Sequence, residues 1–288
     1  MSSRLGGAPA RGYDRQPVNT GEPSLTARGV ALARSRLTRP QTPEGDPGAE
    51  LRLYAGLLAP WRTDGDGGVA LGRHGSASNP GRRQRRFNIV ERTAFIDDET
   101  LRAVTAGIDQ VVLVGAGYDG RALRFRRSGV RFFELDHPAT QADKRRRLEA
   151  LGAPLDDVTF VEVDLMSDRV DAALARAGHC GDRPSLFVCE GLVRYLSRVA
   201  VDRMLAGLRA RAVRGSRLLI TVAESAGVDR RLGRRFYLAA IGEPVRSSYA
   251  LGEFRRRLTR SGWVVEREAR RAEHAGRDRL LIAATPGV

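Results

Sequence analysis

Lysine is nearly absent from this 288-residue chain: Lys144 is the only one, and the other 48 of its 49 basic residues are arginine. That single position excludes two common nucleotide chemistries. A P-loop needs Gly-x-x-x-x-Gly-Lys-Ser/Thr to cradle phosphates, and Lys144 follows Asp143. A short-chain dehydrogenase needs a Tyr-x-x-x-Lys pair, and the residue four before Lys144 is Thr140. Cysteine is also scarce. Cys180 and Cys189 follow no metal or redox spacing and are read as free thiols without a chemical role. No metal site is expected. No apolar run approaches the roughly 18 residues of a membrane span, so no membrane partner is expected. The first residues, MSSRLGGAPARGYDRQPVN, lack the apolar middle of a secretory leader. The expectation is a cytoplasmic protein.

What is abundant is positive charge, a formal net of +15. Nucleic acid is the usual partner of such a chain. The arginines are spread out, however, and their near-exclusive use over lysine reads as compositional drift. The clusters GRRQRR (81–86), KRRR (144–147) and FRRRLTR (254–260) read as solvated faces. A nucleic-acid partner is therefore disfavoured against a small-molecule one.

Residues 1–22 are rich in Gly, Pro and Arg without periodicity and are expected to form a disordered tail. Residues 23–107 read as helical. SLTARGVALARSRL opens on a good N-cap, AELRLYAGLLAPW forms a second helix, and 87–107 forms a third with a break near Asp97. A Gly- and Ser-rich loop separates the last two (63–81). From 108 to 288, apolar strands alternate with helices, which predicts a parallel sheet. The last two strands, WVVEREARR and DRLLIAATP, are joined only by AEHAG and read as an antiparallel hairpin at one edge. A variable insertion is expected near 225–250.

Ligands of open α/β sheets bind beyond the carboxyl ends of the strands. Those ends carry a distinctive set. The first, VVLVGAGYDG, delivers Gly115, Ala116, Gly117 and Asp119. The second, FFELDHP, delivers Glu134, Asp136 and His137 about twenty residues later, where a carboxylate can accept ribose hydroxyls. The third, VEVDL, delivers Asp164 and Leu165. Asp164 is placed to accept an exocyclic amine, or else to cap a helix. The fourth, CEGLVRYL, delivers Glu190 and Gly191. With phosphate and hydride chemistries excluded, S-adenosylmethionine is the nucleotide cofactor that remains, since it carries an adenosine but no phosphate.

The sequence resembles the leucine carboxyl methyltransferase family of class I enzymes, including its bacterial O-methyltransferase and polyketide carboxyl methyltransferase branch. The resemblance spans roughly residues 24–285. It rests on SLTARGVALARS, RTAFIDD, VVLVGAGYDGRALRF, FFELDHP, VEVDL, CEGLVRYL and GEP near 242. It implies a Rossmann-like fold of seven mostly parallel strands with an antiparallel C-terminal hairpin and an N-terminal helical lid. Arg92 would meet the cofactor carboxylate, with Arg39 as a second basic contact. Gly115 and Gly117 would pass beneath the methionine, Asp136 would hold the ribose, Asp164 and Leu165 the adenine, and Glu190 would lie near the ammonium. The family often has Asp-Thr-Arg after its glycines. Here Gly120 replaces the threonine, so its role is open.

The acceptor is less constrained. A carboxylate is already ionised at neutral pH and needs no general base, whereas a phenol profits from one. His137 sits beside the expected ribose carboxylate, and His74, His179 and His274 read as surface residues. This favours O-methylation of a small-molecule carboxylate, such as a secondary metabolite, with Arg194 and Tyr195 orienting it. A nucleic-acid methyltransferase, or a non-catalytic binding protein on the same fold, is the alternative. No [DN]PP[YF] motif follows the fourth strand.

Overall fold

The computed structural model describes residues 21–57, 80–223, 242–269 and 278–284. The expected tail (except its last two residues), the 63–79 part of the loop, most of the 225–250 insertion, the AEHAG connection, His74 and His274 lie outside them.

Three helices lead the fold. α1 (Leu25–Arg34) is capped by the Ser24 side chain, which accepts from the Ala27 amide. α2 (Pro47–Gly56) starts on Asp46, whose carboxylate accepts from Ala49, with proline at its first position. α3 runs unbroken from Pro80 to Thr105. The expected break at Asp97 is absent because this side chain is no stop signal. It is wholly buried and ion-paired, so its polarity serves packing across the helix.

Seven strands follow: β1 (Gln110–Val114), β2 (Arg131–Asp136), β3 (Val158–Glu162), β4 (Leu186–Cys189), β5 (Arg217–Ala223), β6 (Val264–Ala269) and β7 (Asp278–Ala284). Between them lie α4 (Arg121–Arg124), α5 (Pro138–Ala150), α6 (Val170–Arg176), α7 (Arg198–Ala210) and α8 (Leu251–Arg260). The sheet order is β3-β2-β1-β4-β5-β7-β6. β1 to β5 pair in parallel, and β7 runs antiparallel to both β5 and β6. The hairpin thus closes the edge as expected, with its second strand placed inside its first.

Strand residues alternate between two cores. Val112, Val114, Phe133, Leu135, Phe187 and Ile220 face α7 and α8, where Met204, Leu208, Phe254 and Trp263 complete one cluster. Val111, Leu113, Phe132, Val188 and Leu219 face the other way, against Ile96, Ala103 and Val104 of α3. The parallel strands are covered on both sides, which is why they read as continuous apolar runs. A third cluster joins Ala31 of α1 and Leu53 and Tyr54 of α2 to Tyr118, Leu123 and Leu148. It holds the leading helices over the carboxyl end of β1. Among the described residues, no helix is long and apolar enough to cross a membrane.

Candidate cofactor site at the carboxyl edge of the sheet

Strand order reverses between β1 and β4, the place where open α/β sheets bind ligands beyond their carboxyl ends, and the glycine loop follows β1 there. Gly115 and Gly117 take φ of +68° and +52°, a region that favours glycine. The Gly115 and Ala116 amides both donate to the Leu135 carbonyl, at 2.8 and 3.0 Å. The Gly117 amide donates to the Asp136 carboxylate, and the His137 amide donates to its other oxygen at 2.6 Å. Burial pushes the Asp136 carboxyl up, and these two amides pull it back. His137 itself caps α5, its ring accepting from the Ala139 amide.

Close packing also excludes side chains from the loop. A Cβ on Gly115 would stand 2.8 Å from Leu192, and one on Gly117 2.7 Å from the Ala27 side chain of α1. Gly120 answers to a different neighbour. A Cβ there would stand 2.5 Å from the Glu50 carboxylate oxygen of α2. The third glycine therefore makes room for a buried glutamate, which accounts for the departure from threonine.

Beside the glycines lies a buried ionic network. Glu190, just after β4, accepts from Arg34 at 2.6 Å, Arg92 at 2.8 Å and Arg121 at 2.8 Å. Asp119 receives Arg121 at 2.6 Å and Arg34 at 3.2 Å. Asp97 joins Arg121 to Arg39, and Glu50 joins Arg39 to Arg124. Burial alone would raise the Glu190 carboxyl, but Arg34, Arg121 and Arg92 hold it well below the usual carboxylate range. For Asp119 the same contest, won by Arg121 and Arg34, ends at about 2. Glu190 and Asp119 therefore stay ionised despite burial.

The network corrects one expectation. The Arg39 guanidinium is 1% exposed and clamped between Asp97 at 2.6 Å and Glu50 at 2.5 Å. It braces α3 against α2 and does not stand beside Glu190. Arg34 is the residue that shares Glu190 with Arg92, and sequence reasoning assigned it no role. The face of α1 gives the signal: Arg28, Ala31 and Arg34, at helical spacing, are its buried residues. Arg121 and Asp97, quoted in motifs but given no role, are the centre of the network.

The remaining predicted residues fall as follows. Asp136 and Asp164 stand on neighbouring strand ends, the Asp136 carbonyl accepting from the Val163 amide at 2.9 Å. One Asp164 oxygen accepts from the Met166 amide at 2.8 Å within a turn, not at a helix start, since α6 begins at Val170 after Arg169; Leu165 is buried beside it. The Gly191 amide donates to Thr221 at 2.6 Å. Arg194 and Tyr195 lie half-buried in the 3₁₀ turn that follows, Val193–Tyr195. Asp119, predicted as a ligand contact, faces Arg34 and Arg121. Three surface assignments fail, one of them Arg257 of the FRRRLTR run, which is buried and paired with Asp202. His179 is 3% exposed, bonded to Ser185 at 3.0 Å and edge-on to Phe133. Lys144 is buried against Glu134, although Arg145 and Arg146 of the same run face solvent. Both cysteines are free thiols, Cys189 buried and Cys180 half-buried. No cluster of metal-ligating side chains occurs among the described residues.

Comparison with known proteins agrees with this geometry. The leucine carboxyl methyltransferase family profile matches residues 31–209. A Frankia alni protein named a putative S-adenosyl-L-methionine-dependent methyltransferase is 36% identical over 219 residues, 74% of either chain. A Streptomyces coelicolor protein of the same description is 40% identical over 147 residues, 50% of this chain and 51% of that one. The chain thus matches only about half the length of some relatives. The crystal structure of a putative methyltransferase from Thermobifida fusca superposes with a TM-score of 0.53 at 16% identity, covering 70% of this chain and 83% of that one. The profile match over more than half of the chain's length and the 36% identical Frankia alni relative show the family: the chain belongs to the leucine carboxyl methyltransferase family.

Proposed function

We propose that this protein is an S-adenosylmethionine-dependent methyltransferase that methylates an oxygen, most simply a carboxylate, of a small molecule. One observation carries the reading. Four adjacent strand ends, in the order β3-β2-β1-β4, carry Asp164, Asp136, the Gly115–Gly117 turn and Glu190 at the same edge of the sheet. The names borne by the relatives support the same cofactor.

The residues present suit that group. Asp136 is a carboxylate already aimed by two backbone amides, with lone pairs left to accept ribose hydroxyls. Arg34 and Arg92 are guanidiniums suited to a carboxylate, and Glu190 between them is an anion suited to an ammonium. Gly115 and Gly117 keep side chains out of the loop. Asp164 and Leu165 offer a polar acceptor beside an apolar wall for a purine. S-adenosylmethionine, when bound, supplies a methyl group on a sulfonium, a good neutral leaving group. The chain's task is then to hold the nucleophile in line and exclude water.

Acceptor chemistry follows from what the site holds. His137 is committed to its cap, and His179 lies at the amino end of β4, opposite Glu190. Neither is placed as a general base, which suits an acceptor that is already ionised. Arg194 and Tyr195, directly after Glu190 and Gly191, are the residues proposed to orient it. The net charge gives little support to a nucleic-acid substrate, because Arg28, Arg34, Arg39, Arg121, Arg124 and Lys144 point inward.

Calorimetry with S-adenosylhomocysteine and with NADH tests the cofactor. Saturable binding of the first alone is expected, and binding of NADH alone overturns the reading. A panel of small carboxylic acids and phenols incubated with S-adenosylmethionine, read by mass shift, tests the acceptor. Methylation confined to phenols overturns the carboxylate assignment.

A further inference from the structure

The geometry points to Lys144 as a positioning residue of the cofactor site, a buried cation that fixes the far end of the glycine loop to β2. The inference rests on the function proposed above and gives a role to a lysine that the sequence placed in a solvated run. Lys144 is 1% exposed. Its Nζ donates to the backbone carbonyl of Asp119 at 2.5 Å and to the Glu134 carboxylate at 2.5 Å. Those two contacts belong to the two elements that must keep register for the proposed site to exist. Asp119 ends the glycine loop, and its side chain anchors Arg34 and Arg121. Glu134 lies on β2, two residues before Asp136.

The rest of α5 repeats the pattern. Asp143 accepts from the Tyr118 hydroxyl, and Gln141 donates to the carbonyls of Glu134 and Val161. One turn of helix therefore holds the loop on one side and β2 and β3 on the other. Within that turn Lys144 reaches both the loop and β2 with one charged group. It also lies close enough to Asp136 to favour its ionised form.

A lysine is suited to the task. Its ammonium has three donors on a flexible stem, so it can serve a carbonyl and a carboxylate at once. Glu134 in turn requires it. Burial pushes the Glu134 carboxyl up and Lys144 draws it back. Removing Lys144 alone would leave a buried carboxylate unpaired, a strongly destabilising change. A single variant would then confuse folding with positioning.

The double variant Glu134→Gln/Lys144→Met separates them. It removes both charges and nearly keeps the volume, so the buried pair is no longer broken but absent. Melting temperature and S-adenosylhomocysteine calorimetry are measured on the full chain, for wild type and for this variant. If Lys144 positions the loop, the melting temperature stays within a few degrees of wild type. The binding stoichiometry is unchanged, and Kd rises by about tenfold, the loss of roughly one charge-assisted hydrogen bond. If Lys144 merely neutralises Glu134, the double variant binds as tightly as wild type, and the inference falls. If it merely supports the fold, stoichiometry drops with the folded fraction while Kd is constant, and the inference falls as well. A wild-type protein that shows no binding overturns the proposed function and this inference with it. A wild type that binds, beside a double variant of equal Kd, overturns the inference alone.

Discussion

Glu50 of α2 fills the volume that a side chain on Gly120 would need: a Cβ at Gly120 would stand 2.7 Å from the Glu50 carboxyl carbon. Glu50 is wholly buried and joins Arg39 to Arg124, and it also accepts from Tyr54. The neighbouring Tyr54 hydroxyl in turn receives the Gly120 amide at 3.2 Å. A Gly120→Ala substitution must push this carboxylate off two arginines. We expect a loss of about 3–5 kcal/mol, the usual cost of breaking a buried pair. Thermal and urea unfolding measure it. A melting temperature equal to wild type would show that Glu50 can relocate freely.

At Asp136 the test is affinity. Its two oxygens accept the Gly117 and His137 amides and, as proposed, the ribose hydroxyls. Asp136→Ala should weaken S-adenosylhomocysteine by about 2–4 kcal/mol, a factor of roughly 30 to 1,000. Asp136→Asn keeps the shape but accepts at one atom only, and should fall between. Dissociation constants for the two variants and wild type decide it, and an alanine variant of unchanged affinity removes Asp136 from the site.

The arginines differ in exposure, and their roles should differ likewise. The Arg92 side chain is 13% exposed at the edge of the network, whereas that of Arg145 is 49% exposed on α5. Arg92→Ala is expected to raise Kd about tenfold, the loss of one charge-assisted contact. Arg145→Ala should change neither affinity nor melting temperature measurably, since surface pairs contribute little. Equal effects would show that α3 does not close the cofactor site.

Acid should act through His179. Burial, with Arg211, Arg183 and Arg131 nearby, pushes its ring down to about 4 from an ordinary value of 6.5. Between those values the unfolded chain holds a proton that the folded chain refuses. Stability is therefore fully present above about pH 6.5 and declines as pH falls towards 4. Denaturant unfolding at about pH 7 and pH 5 should show a steeper loss for wild type than for His179→Asn. Parallel slopes would place the acid sensitivity elsewhere.

Much of the fold was legible because its signals are local. Strand runs such as VVLV and LFVC are apolar throughout because parallel strands are covered on both faces, and the sheet follows from their alternation with helices. The glycines and the acidic strand ends were legible for a similar reason: backbone turns and strand termini place them, whatever lies further off. Arginine was the opposite case. In a chain with one lysine and arginines everywhere, residue type says nothing about which guanidiniums turn inward. That choice requires a carboxylate brought up from a distant segment, since a buried charge is tolerated only when paired. Arg34 meets Glu190 from 156 positions away, and Arg39 meets Asp97 from 58. These partners exist only once α1 and α3 are folded over β1 and β4. The same physics moved Arg39 away from its expected place, drew Lys144 out of a solvated run, buried His179 against Ser185 and gave Gly120 its purpose through Glu50.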